Sequence, residues 1–500
     1  MVKPVVSISL YKGSPLDAPV STIAVIIKGK DASPILWIDE KLGGLLRQAI
    51  DAGDFKGETG ETILFYPTST RFTRYIVASI GDEGLEGVRQ AVASIVNKVK
   101  NLAPDIVIHI PHSLGVELSD AVEQAACIIP MTLYEPGGKY KAKTKKKIAL
   151  KQVLLNPGVE ASGLEERIKR GVIIGEAVNY ARDIANAPPS IMNPDGIEAE
   201  ARKLAEKNKL GIKVFREEDL RNLGLNGILA VGSGGGSSPR LIILEYRGRD
   251  SSEWDIAVVG KTVTFDAGGL DLKTAQAMAD MKFDKSGGAA VLGVMKAVSE
   301  LKLPVNVLGV LPVVENLPGP KSYKPRDIIK MYNGLTVEVN NTDAEGRIIL
   351  ADALAYIEKN YKPKEIVDLA TLTGAIVIAL GNHAIGLFSK DDDMAEKLIK
   401  TGLYTGEKLW RMPLWKEYYN QLESEVADIS NVGGRAGGAI TAAAFLSKFV
   451  EDTKKWSHLD IAGTAWVQEM GPKKPYYPKG ATGIGVRLIT YYILIYHCHN

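Results

Sequence analysis

The sequence predicts an α/β protein built from two domains. Its 500 residues exceed what a single hydrophobic core commonly supports, so more than one domain is expected. In the first third of the chain, short apolar runs with strand character alternate with a helix-like segment, which is typical of β-α-β units. Further on, continuous apolar runs alternate with helical segments, as the strands of a mixed central sheet flanked by helices require.

The N-terminal domain is predicted to span residues 1 to 160. Its last strand-like run places Ile106, Ile108 and Ile110 on one face. A lysine-rich stretch, KYKAKTKKKIALK at residues 139–151, is predicted to be a solvated edge or loop. The runs that define this domain are STIAVIIKG (21–29), ETILFYP (61–67), RYIVASIG (74–81), the helical EGVRQAVASIVNKVKNL (86–102) and DIVIHIP (105–111).

A linking helix is predicted at residues 161–186, followed by a second domain at residues 187–500. Ser162 and Glu165 have the spacing of a capping box at the start of this helix, and Pro188 and Pro189 end it. The strand-like runs of the second domain are GIKVFR, GILAVGSG, RLIILEYRG, DIAVVGK, NVLGVLPVVE, LTVEVN and EIVDLATLTG. LATLTGAIVIAL (369–380) and VRLITYYILIY (486–496) are too short to cross a membrane and are predicted to be buried core segments.

Composition argues against several classes of protein. With 61 Lys and Arg against 59 Asp and Glu, the net charge is +2, so no overall positive field attracts nucleic acid or a membrane. Two cysteines are too few for a disulfide framework, which favours a reducing, cytoplasmic setting. The N-terminus has no sustained apolar segment of the kind that marks a signal peptide.

Several familiar catalytic motifs are incomplete or missing from the sequence. The run Gly260-Lys261-Thr262 resembles the end of a P-loop, but that motif needs a glycine where the chain has Asp255. The stretch GSGGGSS at residues 232–238 lacks both a Walker lysine and G-x-G-x-x-G spacing, so it is predicted to be a flexible loop. Neither a G-x-S-x-G elbow nor an H-E-x-x-H pair occurs, which disfavours serine-hydrolase and histidine-zinc chemistry.

Charged residues instead collect at the predicted ends of strands and starts of helices, where α/β sheets build their sites. These residues are Lys261, Asp266, Lys273, Asp284, Asp343, Glu345 and Arg347. Carboxylates brought close together repel one another unless cations neutralise them. The pattern therefore predicts two divalent ions, about 3.5–4 Å apart, that hold a hydroxide nucleophile. Mn²⁺ and Mg²⁺ suit oxygen ligands, and Zn²⁺ is tolerated.

A purely structural alternative exists for the stretch NNTDAEGRIIL at residues 340–350. Thr342 and Glu345 have the spacing of a capping box, and Asp343 would lie at the positive end of the helix dipole. On this interpretation, replacing Glu345 by Gln would cost about 1 kcal/mol of stability and would leave activity intact. On the metal interpretation, the same change would remove both the metal and nearly all turnover.

Motifs in these stretches closely resemble the leucyl (cytosol) aminopeptidases, the M17 metallopeptidase family. The matching segments are VGKTVTFDAGG (259–269), MKFDKSGG (281–288) and the family signature NTDAEGR (341–347). The resemblance implies a macro-like N-terminal α/β domain and a catalytic domain that releases N-terminal amino acids from peptides. Leucine and other apolar residues would be preferred. It also implies a cytoplasmic homohexamer that binds peptides with a free N-terminus.

The resemblance further implies a set of metal ligands. Asp266 and Glu345 would bridge two divalent ions, Mn²⁺ or Zn²⁺. Lys261 and Asp284 would complete the shell of one ion, and Asp343 that of the other. A lysine can be a ligand only as the neutral amine, so nearby dications would have to depress the pKa of Lys261 by several units.

The resemblance assigns two catalytic residues and a pocket. Lys273 would stabilise the oxyanion that develops on the attacked carbonyl, and Arg347 would hold a bicarbonate ion as general base. The residues implied for the side-chain pocket are Met281, Asn341, Thr371, Leu372, Gly374 and Ala465. An alternative function, a nucleic-acid-binding or regulatory protein on the same fold, depends only on the lysine-rich stretch at residues 139–151.

Overall fold

The computed structural model describes residues 6–68, 70–137, 140, 148–159, 161–471 and 473–498. These residues form two compact units. The first contains the described residues up to Asn179 together with Lys473–Pro478, and the second contains the others. Most of the lysine-rich stretch, residues 139 and 141–147, lies outside the described residues. None of the helices that the structure describes is long and apolar enough to span a membrane.

The first unit is an α/β fold, as predicted. Its strands are β1 (Ser7–Leu10), β2 (Thr22–Ile27), β3 (Thr62–Phe65), β4 (Arg74–Ser79), β5 (Asp105–His109) and β6 (Gln152–Asn156). Its helices are α1 (Leu36–Lys41), α2 (Leu45–Ala52), α3 (Gly84–Val99) and α4 (Leu118–Thr132). Helix α5 (Leu164–Asn186) begins in this unit and ends in the second.

The sheet of the first unit has the strand order β1-β6-β5-β2-β4-β3 among the described residues. All pairings are parallel except that of β3 with β4. Ile106 and Ile108 on one face of β5 are buried, and Val107 and His109 on the opposite face are buried as well. A parallel sheet hides both faces, so its strands are apolar throughout rather than alternating.

The second unit contains the remaining elements. Its strands are β7 (Gly211–Phe215), β8 (Arg240–Arg247), β9 (Ile256–Gly260), β10 (Thr262–Asp266), β11 (Asn306–Asn316), β12 (Ile328–Lys330), β13 (Thr336–Glu338), β14 (Glu365–Ala370), β15 (Ile385–Ser389), β16 (Leu409–Arg411), β17 (Ile429–Ser430) and β18 (Trp456–Asp460). Its helices are α6 (Pro194–Asn208), α7 (Glu217–Leu223), α8 (Asn226–Gly232), α9 (Ala275–Met278), α10 (Ser286–Glu300), α11 (Glu345–Tyr361), α12 (Gly374–Leu380), α13 (Asp392–Thr405), α14 (Lys416–Asn420), α15 (Gly438–Ser447) and α16 (Val486–Tyr496).

The central sheet of the second unit is mixed, which confirms the predicted fold class. Its strand order is β16-β15-β18-β14-β9-β11-β8-β7, with β10 paired to β11. Strands β18, β14, β9, β11 and β10 are parallel to one another. Strand β8 runs antiparallel to β11 and β7, and β15 runs antiparallel to β18 but parallel to β16. A small sheet of β12, β13 and β17 accompanies it.

Two predictions for the second unit are wrong. The run GILAVGSG is not a strand but contributes most of helix α8, where the buried Asp352 carboxylate accepts the N–H groups of Gly227 and Ile228. A short apolar run does not by itself distinguish a strand from a helix, and here a distant carboxylate satisfies the helix start. LATLTGAIVIAL is not wholly buried either, because the side chain of Ile378 on α12 is 89% exposed.

Candidate metal centre

Two of the predicted charged residues, Lys261 and Asp266, lie at the carboxyl ends of parallel strands of the central sheet. Parallel strands end at the same edge of a sheet, and that edge is where α/β proteins bind ligands. Lys261 directly follows β9, and Asp266 is the last residue of β10. Asn316 ends β11, and Thr371 follows β14. The sheet itself therefore brings residues that are distant in sequence to one edge.

Other segments add carboxylates to this edge. Asp284 lies in the 3₁₀ turn Met281–Lys285 that precedes α10, and Glu345 is the first residue of α11. Asp343 lies in the turn between β13 and α11. One oxygen each of Asp266, Asp343 and Glu345 can be chosen so that all three lie within 4.8 Å of one another. Three carboxylates thus converge closely enough to share a cation.

Lys261 is enclosed by this cluster. Its ammonium lies 2.9 Å from Asp284 Oδ2 and 2.7 Å from Glu345 Oε1, and it donates a 2.9 Å hydrogen bond to the carbonyl of Thr371. A Cβ atom at Gly346 would lie 2.5 Å from Cε of Lys261. Three polar contacts hold the lysine in place, so a larger residue at position 346 would have to displace the stem of Lys261.

The electrostatic environment favours the charged form of Lys261. Burial by itself lowers the pKa of this amine, but the nearby carboxylates of Asp284, Glu345 and Asp266 outweigh it and raise the pKa well above the ordinary value. In the structure, Lys261 is therefore an ammonium group that partly balances the negative cluster. It could serve as a metal ligand only after losing its proton.

Lys273 is the second cation of the cluster. Its ammonium lies 3.0 Å from Asp266 Oδ2 and forms an ion pair with Asp343. Burial lowers its pKa, whereas the charges of Asp266, Glu345 and Asp343 raise it, and the net shift is upward. Lys273 therefore stays cationic across the neutral range, as the oxyanion-stabilising role would require.

Two carboxylates of the cluster have raised pKa values. Burial, together with Asp266 and Glu345, raises the pKa of Asp343 to about 6 despite its pairing with Lys273. Burial also raises the pKa of Asp284 well above its usual range. With all side chains ionised, four carboxylates and two ammonium groups leave two uncompensated negative charges. A cation would relieve this repulsion.

The donor set also fits a metal ion at the level of individual atoms. Three carboxylate oxygens are buried and accept no hydrogen bond of suitable direction from the described part of the chain, although each lies beside a lysine: Asp284 Oδ2, Asp343 Oδ1 and Glu345 Oε1. A buried oxygen without a directed partner costs free energy. Divalent ions that prefer oxygen ligands would satisfy these atoms.

Arg347 lies on the first turn of α11 with its side chain buried. Nη1 donates a 2.7 Å hydrogen bond to the carbonyl of Asn431, while the buried Nε has no hydrogen-bond partner among the residues that the structure describes. Burial lowers the pKa of Arg347 to about 10, against the opposing charges of Glu345 and Asp460, so the group remains a cation at neutral pH. A buried guanidinium with a free N–H suits a small planar anion.

The six predicted pocket residues are in different environments. The Thr371 hydroxyl donates to Asp284 Oδ1 at 2.7 Å, and Asn341 Oδ1 accepts the N–H of Asp343 at 2.8 Å. Leu372 donates its N–H to Asp460 Oδ1. Asp460 lies outside the cluster, and no hydrogen bond within the described part of the chain joins Leu372 or the other three residues to it. Of these, Ala465 is buried, Met281 is half-buried and Gly374 is exposed.

The structure does not contain the capping box that Thr342 and Glu345 suggested. The residue before α11 is Ala344, which forms no side-chain cap hydrogen bond. The Thr342 hydroxyl instead accepts the N–H of Asp271 at 2.8 Å and donates to the carbonyl of Gly268 at 2.7 Å. The structural alternative for this turn is therefore wrong, because the helix begins two residues too late for the motif.

Two buried asparagines organise the cluster and were not predicted. Asn316 Nδ2 donates to Asp266 Oδ1 at 2.9 Å and to the carbonyl of Thr342 at 3.0 Å. Asn431 Oδ1 accepts the N–H of Asn340 at 2.7 Å, and its carbonyl accepts from Arg347. One sequence pattern could have indicated Asn316, namely a polar residue at the end of a long apolar run. Asn431 follows no comparable run, and nothing in the sequence distinguished it.

Known proteins resemble the chain in both sequence and structure. The model of the cytosol aminopeptidase family, catalytic domain, matches residues 179–490, and that of the same family's N-terminal domain matches residues 25–144. A "Probable cytosol aminopeptidase" of Cenarchaeum symbiosum is 43% identical over 460 residues, which cover 90% of this chain and 92% of that protein. One from Aquifex aeolicus is 39% identical over 495 residues, covering 97% and 96%.

Two solved structures show the same architecture. A mutant of tomato leucine aminopeptidase superposes with a TM-score of 0.88 at 30% identity, covering 98% of this chain and 97% of that one. The bottromycin maturation enzyme BotP in complex with Mn superposes with a TM-score of 0.83 at 30% identity, covering 95% and 99%. The chain therefore belongs to the cytosol aminopeptidase family and is a peptidase of the aminopeptidase type.

Proposed function

We propose that the protein is a metal-dependent aminopeptidase that removes N-terminal residues from peptides with a free N-terminus, with leucine and other apolar residues preferred. Residues 187–500 would form the catalytic domain. The observation that carries the proposal is the convergence of Asp266, Asp343 and Glu345 within 4.8 Å, beside the ammonium groups of Lys261 and Lys273. Membership of the aminopeptidase family supports the same conclusion.

Two divalent ions, Mn²⁺ or Zn²⁺, would be held by the carboxylates of Asp266, Asp284, Asp343 and Glu345 and by the neutral amine of Lys261. When bound, such ions supply Lewis-acid activation of water and of the scissile carbonyl. The Mn complex of the structurally similar BotP supports this choice of ion. Buried carboxylate oxygens without directed hydrogen bonds support the choice of ligands.

The remaining charged residues would act around the reacting carbonyl. Lys273, held cationic by its carboxylate neighbours, would stabilise negative charge that develops on the carbonyl oxygen. Arg347 would hold a small anion such as bicarbonate, positioned as the general base. The side chain of the first peptide residue would be accommodated by Met281, Asn341, Thr371, Leu372, Gly374 and Ala465.

Hydrolysis of leucine p-nitroanilide by chelated protein tests the proposal. Activity should be lost on chelation and should return when Mn²⁺, Zn²⁺, Co²⁺ or Mg²⁺ is added separately, with the most active ion identifying the preferred metal. N-acetyl-leucine p-nitroanilide, whose amine is blocked, is the matched substrate control and should not be cleaved. Failure of every ion to restore turnover would contradict the mechanism, and cleavage of the blocked substrate would contradict the exopeptidase assignment.

We also propose a homohexamer and a cytoplasmic location, on the basis of family membership and the names of the relatives. Light scattering on the purified protein should give about six times the chain mass of 54.0 kDa. A monomer or dimer at micromolar concentration would contradict this assembly.

A further inference from the structure

Lys273 lies in the loop of residues 267–274, which connects β10 to α9. The loop closes on itself through one main-chain hydrogen bond, in which the N–H of Lys273 donates to the carbonyl of Ala267 at 2.9 Å. Gly268 and Gly269 have φ values of +90° and +67°, a left-handed conformation that glycine adopts readily. A loop with two adjacent glycines has little local stiffness, so other contacts must fix the position of Lys273.

A reciprocal pair of side chains supplies these contacts. Asp271 Oδ2 accepts the N–H of Thr342 at 2.7 Å, and Thr342 Oγ1 accepts the N–H of Asp271 at 2.8 Å. The Thr342 hydroxyl donates to the carbonyl of Gly268 at 2.7 Å. These hydrogen bonds, which we call the Asp271–Thr342 clamp, join the Lys273 loop to the turn that carries Asp343.

The Thr342 side of the clamp is rigid. Thr342 is completely buried, and its carbonyl accepts two hydrogen bonds, from Asn316 Nδ2 at 3.0 Å and from the hydroxyl of Tyr323 at 2.6 Å. Asn316 Nδ2 also donates to Asp266 Oδ1 at 2.9 Å. Thr342 is thus held by Asn316 at the end of β11 and by Tyr323, and Thr342 in turn holds the loop of residues 267–274.

We infer that Asp271 and Thr342 are positioning residues that set where the ammonium of Lys273 lies relative to Asp266 and Asp343. Asp271 is two residues before Lys273, and Thr342 directly precedes Asp343. The clamp therefore connects the segment that carries the ammonium group to the segment that carries the Asp343 carboxylate. This inference rests on the proposed role of Lys273. Because a displacement of about 1 Å at a reacting centre can cost about a hundredfold in rate, loss of the clamp should lower kcat.

The chain contains a closely matched control. Asp428 Oδ2 accepts the N–H and the hydroxyl of Thr336 at 2.8 Å and 2.7 Å, and Thr336 Oγ1 accepts the N–H of Asp428 at 3.0 Å. Asp271 and Asp428 are both exposed at the surface. The second pair shares the two reciprocal main-chain hydrogen bonds of the first, but its threonine is half-buried and donates its hydroxyl to the aspartate, and Lys273 is not attached to it.

The test compares Asp271→Ala, Asp271→Asn and Asp428→Ala in the metal-loaded, full-length protein, with leucine p-nitroanilide as substrate. Asp271→Ala should lower kcat about 10- to 100-fold, with KM and the bound metal content within twofold of wild type. Asp271→Asn should recover most of kcat, because one amide oxygen can still accept the N–H of Thr342. Asp428→Ala should behave as wild type.

A second measurement does not depend on catalysis. Trypsin cleaves after lysine, so the rate of cleavage after Lys273 in chelated protein, followed by mass spectrometry, reports how firmly the loop is held. Asp271→Ala should accelerate this cleavage at least severalfold, whereas Asp271→Asn and Asp428→Ala should not.

The inference is overturned if Asp271→Ala keeps the wild-type kcat, if Asp428→Ala lowers kcat equally, or if cleavage after Lys273 is unchanged. Lys273→Met separates this failure from failure of the proposed function. If Lys273→Met retains full kcat, the catalytic role of Lys273 is wrong, and the inference that the clamp serves that role falls with it. A fall in kcat for Lys273→Met but not for Asp271→Ala refutes the clamp alone.

Discussion

Metal binding should release one proton from Lys261. The structure places its amine 2.9 Å from Asp284 and 2.7 Å from Glu345, and these carboxylates raise its pKa above the ordinary 10.5. A lysine coordinates a metal only as the neutral amine, so its proton must leave at any pH below this pKa. At pH 8 that deprotonation costs at least ~3 kcal/mol, which the metal–nitrogen bond has to supply.

The sign of the pH dependence follows directly. Because the bound form carries one proton fewer, the metal affinity should rise about tenfold for each pH unit between about 7 and 9. Towards pH 6 the slope should steepen, since Asp343, with a pKa of about 6, must also lose a proton before it can bind metal. The raised pKa of Asp284 acts in the same direction.

Titration calorimetry of chelated protein with Mn²⁺, in buffers of different ionisation enthalpy, counts the released protons. The difference between wild type and Lys261→Met should be one proton per chain at pH 8, since methionine has a stem of similar length but no proton to lose. Lys273→Met is the matched control and should release as many protons as wild type, because Lys273 stays charged. Equal proton release from wild type and Lys261→Met would refute the ligand role of Lys261.

Three further outcomes are expected. Glu345→Gln should lose metal, measured by plasma mass spectrometry, and nearly all turnover. The melting temperature of the chelated protein should stay within a few degrees of wild type, because no helix cap is removed. Retained metal and activity would contradict this prediction. Arg347→Ala should abolish any stimulation of wild-type kcat by added bicarbonate; equal stimulation of both proteins would remove the anion role. For Asp352, burial raises the pKa to about 7, so the folded state keeps a proton that the unfolded state loses above pH 4. The free energy of unfolding should therefore fall by about 3 kcal/mol more between pH 5 and 8 in wild type than in Asp352→Asn. Urea unfolding of the chelated proteins measures this difference. An equal dependence of the free energy of unfolding on pH in both proteins would refute the raised pKa.

The sequence located site residues best where a charged side chain lies at the end of a predicted strand. Lys261 and Asp266 follow apolar runs, and their position at one sheet edge depends only on those runs being parallel strands. The fold class and the converging carboxylates could therefore be predicted without coordinates. The division of the chain was harder, because helix α5 runs without a break from one compact unit into the other.

Features that depend on long-range partners could not be predicted. GILAVGSG folds as helix α8, where Asp352, more than a hundred residues away, accepts two N–H groups of its first turn. Thr342 looked like a helix cap, yet its hydroxyl bonds to a loop some seventy residues earlier in the chain. Asn431 meets Arg347 only through the folded chain. In each case the local sequence is compatible with more than one structure, and a contact with residues distant in sequence determines which one forms.

The close approach of Gly346 to Lys261 limits how this centre can be redesigned. A methyl group at position 346 would push against a lysine stem whose amine is already fixed by Asp284, Glu345 and the carbonyl of Thr371. Mutant libraries that aim to change metal preference can vary the ligands themselves, but they should keep this position constant. Even alanine there would press on Lys261 without altering any of the proposed ligands.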